Sequence, residues 1–465
     1  MILACLHFVL AYFISYKSLG YLPLHLSRSE KIAASAVLAP FLSAWITFAT
    51  WILLGRVRGG GVSLIILTLI TLILVLVRRP SFKDTQNEPV PTKSAHKALY
   101  AVFWLLLCLI LGWLTYNHYL MPTIDGWHSS GYTWGDIAIH MSLASWFAKQ
   151  PDLLLVWPIF KDTKMFYTFL ADLGTAQLLS YGASYQLAFG LPTLSLLLGC
   201  TRLTFGLVYR LTRSLRASLI HINFVLFSGS AAGVMYALYD FLNPTRASIM
   251  PDYTNLTGDT QLNFANLITS HLLPQRSYLL GFGVTSLILI MVYQLYKRHR
   301  GESFAHKLSE KRLVFTIATL TGLLPFAHVH SFLVLMGVYV SILLWELFRR
   351  DRLIRDWLYI LGISSLIALP QLYWQAITTP KGMTRTNFGW MMTEGSNIVW
   401  FWVLNLGLLL LFFILILWLL YSLLRNRHQH HTYHIRDTDS FTGILFGFGV
   451  TLFIAGNLIQ FLPNI

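Results

Sequence analysis

Long apolar runs recur from one end of this chain to the other, separated by short stretches that collect nearly all of its charge. A helix needs about 17–25 predominantly apolar residues to cross the hydrocarbon of a bilayer. Thirteen apolar segments can be read: 1–16, 31–55, 62–77, 98–116, 166–181, 185–208, 217–241, 277–296, 313–327, 331–348, 354–369, 397–424 and 441–461. Strand-like alternation is absent from them, so the backbone must satisfy its own polar groups within helices. The chain is 55% hydrophobic and 11% charged, with a mean hydropathy of +0.60. Soluble domains carry roughly 25% charged residues. The expectation is an all-α, polytopic membrane protein, a single domain over residues 1–465 with about 12–13 transmembrane helices.

The first run, Met1–Tyr16, has neither a basic leader nor a small-residue cleavage site, so it is expected to be a retained helix. A net charge of +15 suggests nucleic acid only when position is ignored. The basic residues sit in short clusters between apolar runs, as the positive-inside rule requires of cytoplasmic loops, and no nucleic-acid partner is expected. Such clusters occupy Arg78–Lys97, Lys297–Arg312 and Arg349–Arg355. Loops 117–165, 242–276, 328–330 and 370–396 then share the opposite, outer face. One conflict remains. Tyr209–Arg216 is also basic, yet two apolar segments separate it from 117–165 where one crossing is required. Either 166–181, interrupted by Asp172, dips without crossing, or this cluster breaks the rule. The three cysteines, Cys5, Cys108 and Cys200, lie inside apolar runs and offer no disulfide framework or metal spacing.

The outer loops hold the unusual polar residues. The longest, Asn117–Lys164, carries Asp125, His128, Asp136, His140, Asp152 and Asp162. Gly135–His140 opens an amphipathic helix running to about Lys149, with Asp136 and His140 one turn apart on the same face. Ile139, Leu143, Trp146 and Phe147 would lie along the membrane interface. Asp136 has two readings here: a helix cap, or a carboxylate presented for chemistry. A second cluster, His271-Leu-Leu-Pro-Gln275-Arg276-Ser277, places Arg276 where it can meet a phosphate, which guanidinium suits through its permanent charge and fork of donors. Its bland reading is an arginine snorkelling to lipid headgroups. His328 and His330, two apart at a turn, read as hydrogen-bonding residues more readily than as metal ligands, and no metal site is expected. The group His428, His430, His431 and His434 reads as a solvated basic loop. Lys381, Arg385, Trp390 and Glu394 suit either a sugar-phosphate site or an interfacial belt.

Two of these stretches, TWGDIAIHMSLASWFA and FYTFLADLGTAQLLSYGAS, resemble the first large outer loop of GT-C superfamily membrane glycosyltransferases. That superfamily includes protein O-mannosyltransferases and the lipid A aminoarabinose transferase. LLPQRSYLLG and LLPFAHVHSFL look like motifs of a bacterial branch of unassigned specificity. The entry to the next segment, Tyr167-Thr168-Phe169-Leu170, lacks the proline usual in the better-known branches. The resemblance implies a bundle with interfacial helices, residues 117–165 as the outer catalytic loop, and inverting transfer of a sugar from a polyprenyl-phosphate donor to a glycan, lipid or protein acceptor. It implies Asp136 as base, with Asp125 second. His140, Gln275, Arg276, His328 and His330 would contact substrate, Arg276 at the donor phosphate. No cofactor is expected beyond the lipid-linked donor; some relatives use a divalent cation, and that stays open. Two rivals remain, a polytopic transporter or lipid flippase, and a non-catalytic membrane scaffold.

Overall fold

The computed structural model describes residues 1–77, 94–129, 133–160, 163–231, 241–242, 266–298, 307–349, 354–379, 384–392, 396–407, 410, 414 and 437–461. Asp162, most of loop 242–276, Lys381, Glu394 and His428–His434 lie outside them, as do parts of segments 217–241 and 397–424. The described chain is helical apart from two short antiparallel ribbons, β1 (Met121–Thr123) with β2 (Gly126–His128), and β3 (Thr384–Thr386) with β4 (Ile459–Phe461). Among the described residues, eight helices are long and apolar enough to cross a membrane, which makes this a multi-pass all-α membrane protein. They are α1 (Ile2–Leu19), α2 (Arg28–Leu76), α3 (Ser94–His118), α6 (Tyr185–Thr212), α8 (Arg276–Arg298), α10 (Pro325–Arg349), α11 (Ile354–Thr378) and α13 (Asp437–Leu458). Shorter helices are α4 (Thr133–Lys149), α5 (Leu170–Ser180), α7 (Leu215–Phe227), α9 (Lys307–Gly322) and α12 (Ile398–Leu406).

Helix α2 is two helices folded back on each other. Its N-terminus is fixed by a capping box between Ser27 and Glu30, which satisfies two otherwise orphaned backbone donors. The break falls at Gly55, where φ is 70° and ψ 170°, a conformation that a side chain disfavours. A Cβ there would also meet Asp152 Oδ1 at 2.9 Å and the Pro151 carbonyl at 3.0 Å. The turn is pinned from outside: Arg56 donates its backbone N–H to Pro151 O (2.7 Å) and its Nε–H to Gln150 O (2.8 Å). Beyond it the second arm returns, so that Leu67 joins Ala39 and Ala11 in one apolar cluster, and Tyr21 O–H reaches Val77 O. Segments 31–55 and 62–77 are thus the two arms of this hairpin.

Helices α6 and α8 form the centre of the bundle. Nearly every residue of α8 from Arg276 to Tyr296 is buried, and a single main core links it to α2, α5, α6, α9 and α10. At one end of the bundle Gln294 of α8 binds the His25 backbone, and Arg210 of α6 donates to His25 O and to the Glu30 carboxylate. At the other end, Arg276 of α8 meets α5 and Ser277 Oγ–H donates to Thr168 O.

The conflict at Tyr209–Arg216 is removed by the length of α5. Eleven residues at 1.5 Å each give roughly 17 Å, far short of the ~30 Å of a hydrocarbon core. Helix α5 therefore dips and returns. Only α6 crosses between the loop 117–165 and the Tyr209–Arg216 cluster, which puts that cluster at the same end as Lys297 and Arg298.

Candidate functional site

Asp172 organises the end of the bundle opposite the basic clusters. It sits in the first turn of α5 and is fully buried. A carboxylate in that setting is costly unless it is paired and hydrogen-bonded, and here each oxygen has a partner. Its Oδ1 accepts from Arg276 Nη1 at 3.0 Å, and its Oδ2 lies 2.8 Å from His140 Nδ1. The second guanidinium nitrogen, Nη2, reaches Thr175 Oγ1 at 2.6 Å, one turn along α5 from Asp172. The face of the Phe189 ring lies 4.3 Å from the guanidinium carbon, a cation–π contact. Three elements, α4, α5 and the start of α8, are thus tied by one carboxylate.

Since a carboxylate only accepts, the Nδ1 proton of His140 is directed to Asp172, and Nε2 faces away from it. One turn earlier on α4 is Asp136, half-buried. Burial pushes its carboxyl pKa up from the ordinary value, while the nearby His140 and His271 pull it down. For His271 the balance is reversed: burial pushes the imidazole down and Asp136 pulls it up. Tyr167 completes this side, its ring 6.1 Å from that of His140. Burial raises its phenol, and the carboxylates of Asp172 and Asp136 add to the rise. Behind His271, the buried Tyr119 donates to Leu273 O at 2.5 Å, anchoring the π-helical turn Ile268–Leu272 that leads into Arg276.

Several expectations need correction. The apolar face of α4 covers protein: Leu143 and Phe147 are fully buried in the main core against α5 and only Ile139 is exposed. The helix also begins at Thr133, so Asp136 lies inside its first turn and is not the cap residue. Arg276 is 4% exposed and spends both terminal nitrogens on Asp172 and Thr175, so it organises the site and is not an open phosphate ligand. His140 likewise gives Nδ1 to Asp172, which leaves only its Nε2 side for the substrate contact that the resemblance implies. His328 is buried, and its Nδ1 accepts from Ser331 N–H (3.2 Å) at the break where α10 becomes regular. It therefore caps a helix; its ring also stands edge-on to Tyr278, with centroids 5.3 Å apart. His330 is exposed beside it, at 5.3 Å between ring centroids. Gln275 is exposed on the turn before α8. Asp125 is exposed at the tip of the β1–β2 hairpin.

Sequence reading set Asp172, Thr175 and Tyr167 aside. The available signal was Asp172 itself: an ionised group inside an apolar run demands a partner, and Arg276 was a cation expected at the same end. Among the described residues no cluster of three or more His, Cys, Asp or Glu has metal-holding geometry. Comparison with protein-family models, curated proteins and solved structures returns no match.

Proposed function

We propose that this chain transfers a sugar from a polyprenyl-phosphate donor to an acceptor hydroxyl at the end of the bundle opposite the basic clusters, with Asp136 as general base. One observation carries the reading: Asp136 stands half-buried at the accessible end of a line of ionisable groups, His140, Asp172 and Arg276, whose inner members bind one another. A carboxylate raised by burial is a better base than one in water. The acceptor oxygen would give its proton to Asp136 as it bonds to the anomeric carbon. The bond from that carbon to the phosphate oxygen breaks on the opposite face, and the phosphate leaves with the electron pair. A donor for its charge would come from His271; His140, with its proton on Nδ1, turns only the Nε2 lone pair away from Asp172. Arg276 acts one step back, by fixing Asp172.

The test is release of polyprenyl phosphate from a panel of polyprenyl-phosphate hexoses by purified protein. Asp136→Asn should lose about 10²–10⁴-fold in rate at unchanged donor binding. Unchanged turnover in this variant removes Asp136 as the base. Proton-coupled transport is the second reading, favoured by the placement of Asp172 and Arg276 on helices that meet inside the bundle. Substrate-driven proton uptake into proteoliposomes, without hydrolysis or transfer of any donor, would select it.

A further inference from the structure

Beside Arg276, five helices meet around a cavity of about 20 Å³, to which α1 contributes Phe8, α2 Ser43, α5 Thr175, α6 Thr193 and α8 Arg276. Four of these five residues are polar, and all four are buried. Arg276 places Nη1 on Asp172 and Nη2 on Thr175. Among the described residues, however, no atom accepts from its buried Nε–H. In the planar guanidinium, Nε–H and one Nη2–H leave the same edge. The Nη2 contact with Thr175 therefore turns Nε–H toward the α5 wall of the cavity. Acceptors stand around it. Thr175 Oγ–H donates to Ala171 O at 3.2 Å and Thr193 Oγ–H to Phe189 O at 2.8 Å, so each hydroxyl oxygen can still accept. Ser43 Oγ lies 2.8 Å from His7 Nε2, a pair that joins α1 to α2.

We propose that this cavity binds one water molecule, which accepts from Arg276 Nε–H and donates to Ser43 Oγ and Thr193 Oγ1. A buried water typically makes about three hydrogen bonds and needs roughly 10–15 Å³, and the cavity offers both. A buried donor without an acceptor is costly, the more so on a charged group, and that cost is what holds the water. Chloride would also accept from Nε–H. Asp172 already neutralises Arg276, so an anion would leave a net negative charge deep in the bundle. A metal cation would face a guanidinium, and an apolar occupant would leave Nε–H bare. Water alone is small, neutral and able both to accept and to donate. The bridge carries the hydrogen bonds of Asp172 and Arg276 on to Ser43 and His7. It thereby ties α1 and α2 to the site that α4, α5 and α8 form. None of this depends on the reaction proposed for Asp136.

The experiment is NMR of the full chain in detergent micelles, with isotope-labelled arginine. The Arg276 Hε resonance is assigned by its loss in Arg276→Lys. In the wild type it should show direct cross-relaxation with water, with the sign of a long-lived bound molecule. A hydroxyl that exchanges with solvent would mimic this signal, and Ser43→Val separates the two. That change fills the space with apolar atoms and leaves the hydroxyls of Thr175 and Thr193 in place. The cross-peak should vanish in Ser43→Val while the Hε resonance itself remains. No cross-peak in the wild type, or an undiminished one in Ser43→Val, would overturn the proposal. Should Ser43→Val fold poorly, crystals of the wild type soaked in bromide decide the matter. A water peak within hydrogen-bonding distance of Nε is the expected result. No peak there, an anomalous bromide peak in its place, or a protein acceptor for Nε–H would each overturn it.

Discussion

Replacing Asp172 by asparagine changes one oxygen for an amide nitrogen, with little change in shape, and isolates the charge. In the native arrangement Oδ1 accepts from Arg276 and Oδ2 faces the His140 Nδ1 proton, at 3.0 and 2.8 Å. The amide can still accept from Arg276, but its NH₂ would then point at the N–H of His140. Either the imidazole changes tautomer or two donors collide. Arg276, 4% exposed, would keep a buried positive charge answered by neutral groups, the amide oxygen, Thr175 and the Phe189 ring. Breaking a buried pair by removing one partner costs about 3–5 kcal/mol, and the surviving hydrogen bond places Asp172→Asn near the lower end of that range. The assay is reversible unfolding in mixed micelles of the wild type, Asp172→Asn, Arg276→Gln and the double variant. Because the second change removes the stranded charge, the double variant should be less destabilised than the sum of the singles by about 2–3 kcal/mol. A loss below about 1 kcal/mol in Asp172→Asn, or a coupling energy near zero, would refute the view that this carboxylate holds α4, α5 and α8 together.

Two further outcomes follow from the geometry. Burial raises the Asp136 carboxyl in the folded state, so the folded chain holds that proton to higher pH than the unfolded chain. The stability linked to it is present below the ordinary carboxylate range and is lost as pH rises through the raised value; unfolding midpoints of wild type and Asp136→Asn should diverge over that rise, with the asparagine variant the more stable at neutral pH. Gly55→Ala introduces a Cβ at positive φ and within 3.0 Å of the Pro151 carbonyl, which should cost at least about 1–3 kcal/mol and be visible as a lowered unfolding temperature.

The membrane class was plain in the sequence because hydropathy and basic clusters act locally, through single segments. Segments 31–55 and 62–77 were separated correctly around the turn that Gly55 makes. What hydropathy could not convey was depth. Segment 166–181 has the composition of a crossing helix, and only the irregular backbone before Phe169 and the turn after Ser180 reduce α5 to eleven residues. The site was partly legible for a related reason. Asp136 and His140 stand one turn apart on one helix, a spacing that can be counted. Asp172, His140 and Arg276 are 32 and 104 residues apart, and their meeting depends on how α5 and α8 pack. Arg276 was noticed for its charge yet given the wrong partner, since burial, unlike composition, belongs to the assembled bundle.

The pinning of α2 to the loop after α4 has a mechanical consequence. Arg56 holds the carbonyls of Gln150 and Pro151 at one end of α4, and Asp172 holds His140 nearer the other, so α4 behaves as a beam clamped at two points. Asp136 lies four residues beyond the inner clamp, roughly 6 Å, and its neighbour Ile137 is packed into the main core. The carboxylate is thereby set in position by contacts it does not itself make, and a change at Gly55, far along the chain from Asp136, would be felt there as a tilt of the whole beam.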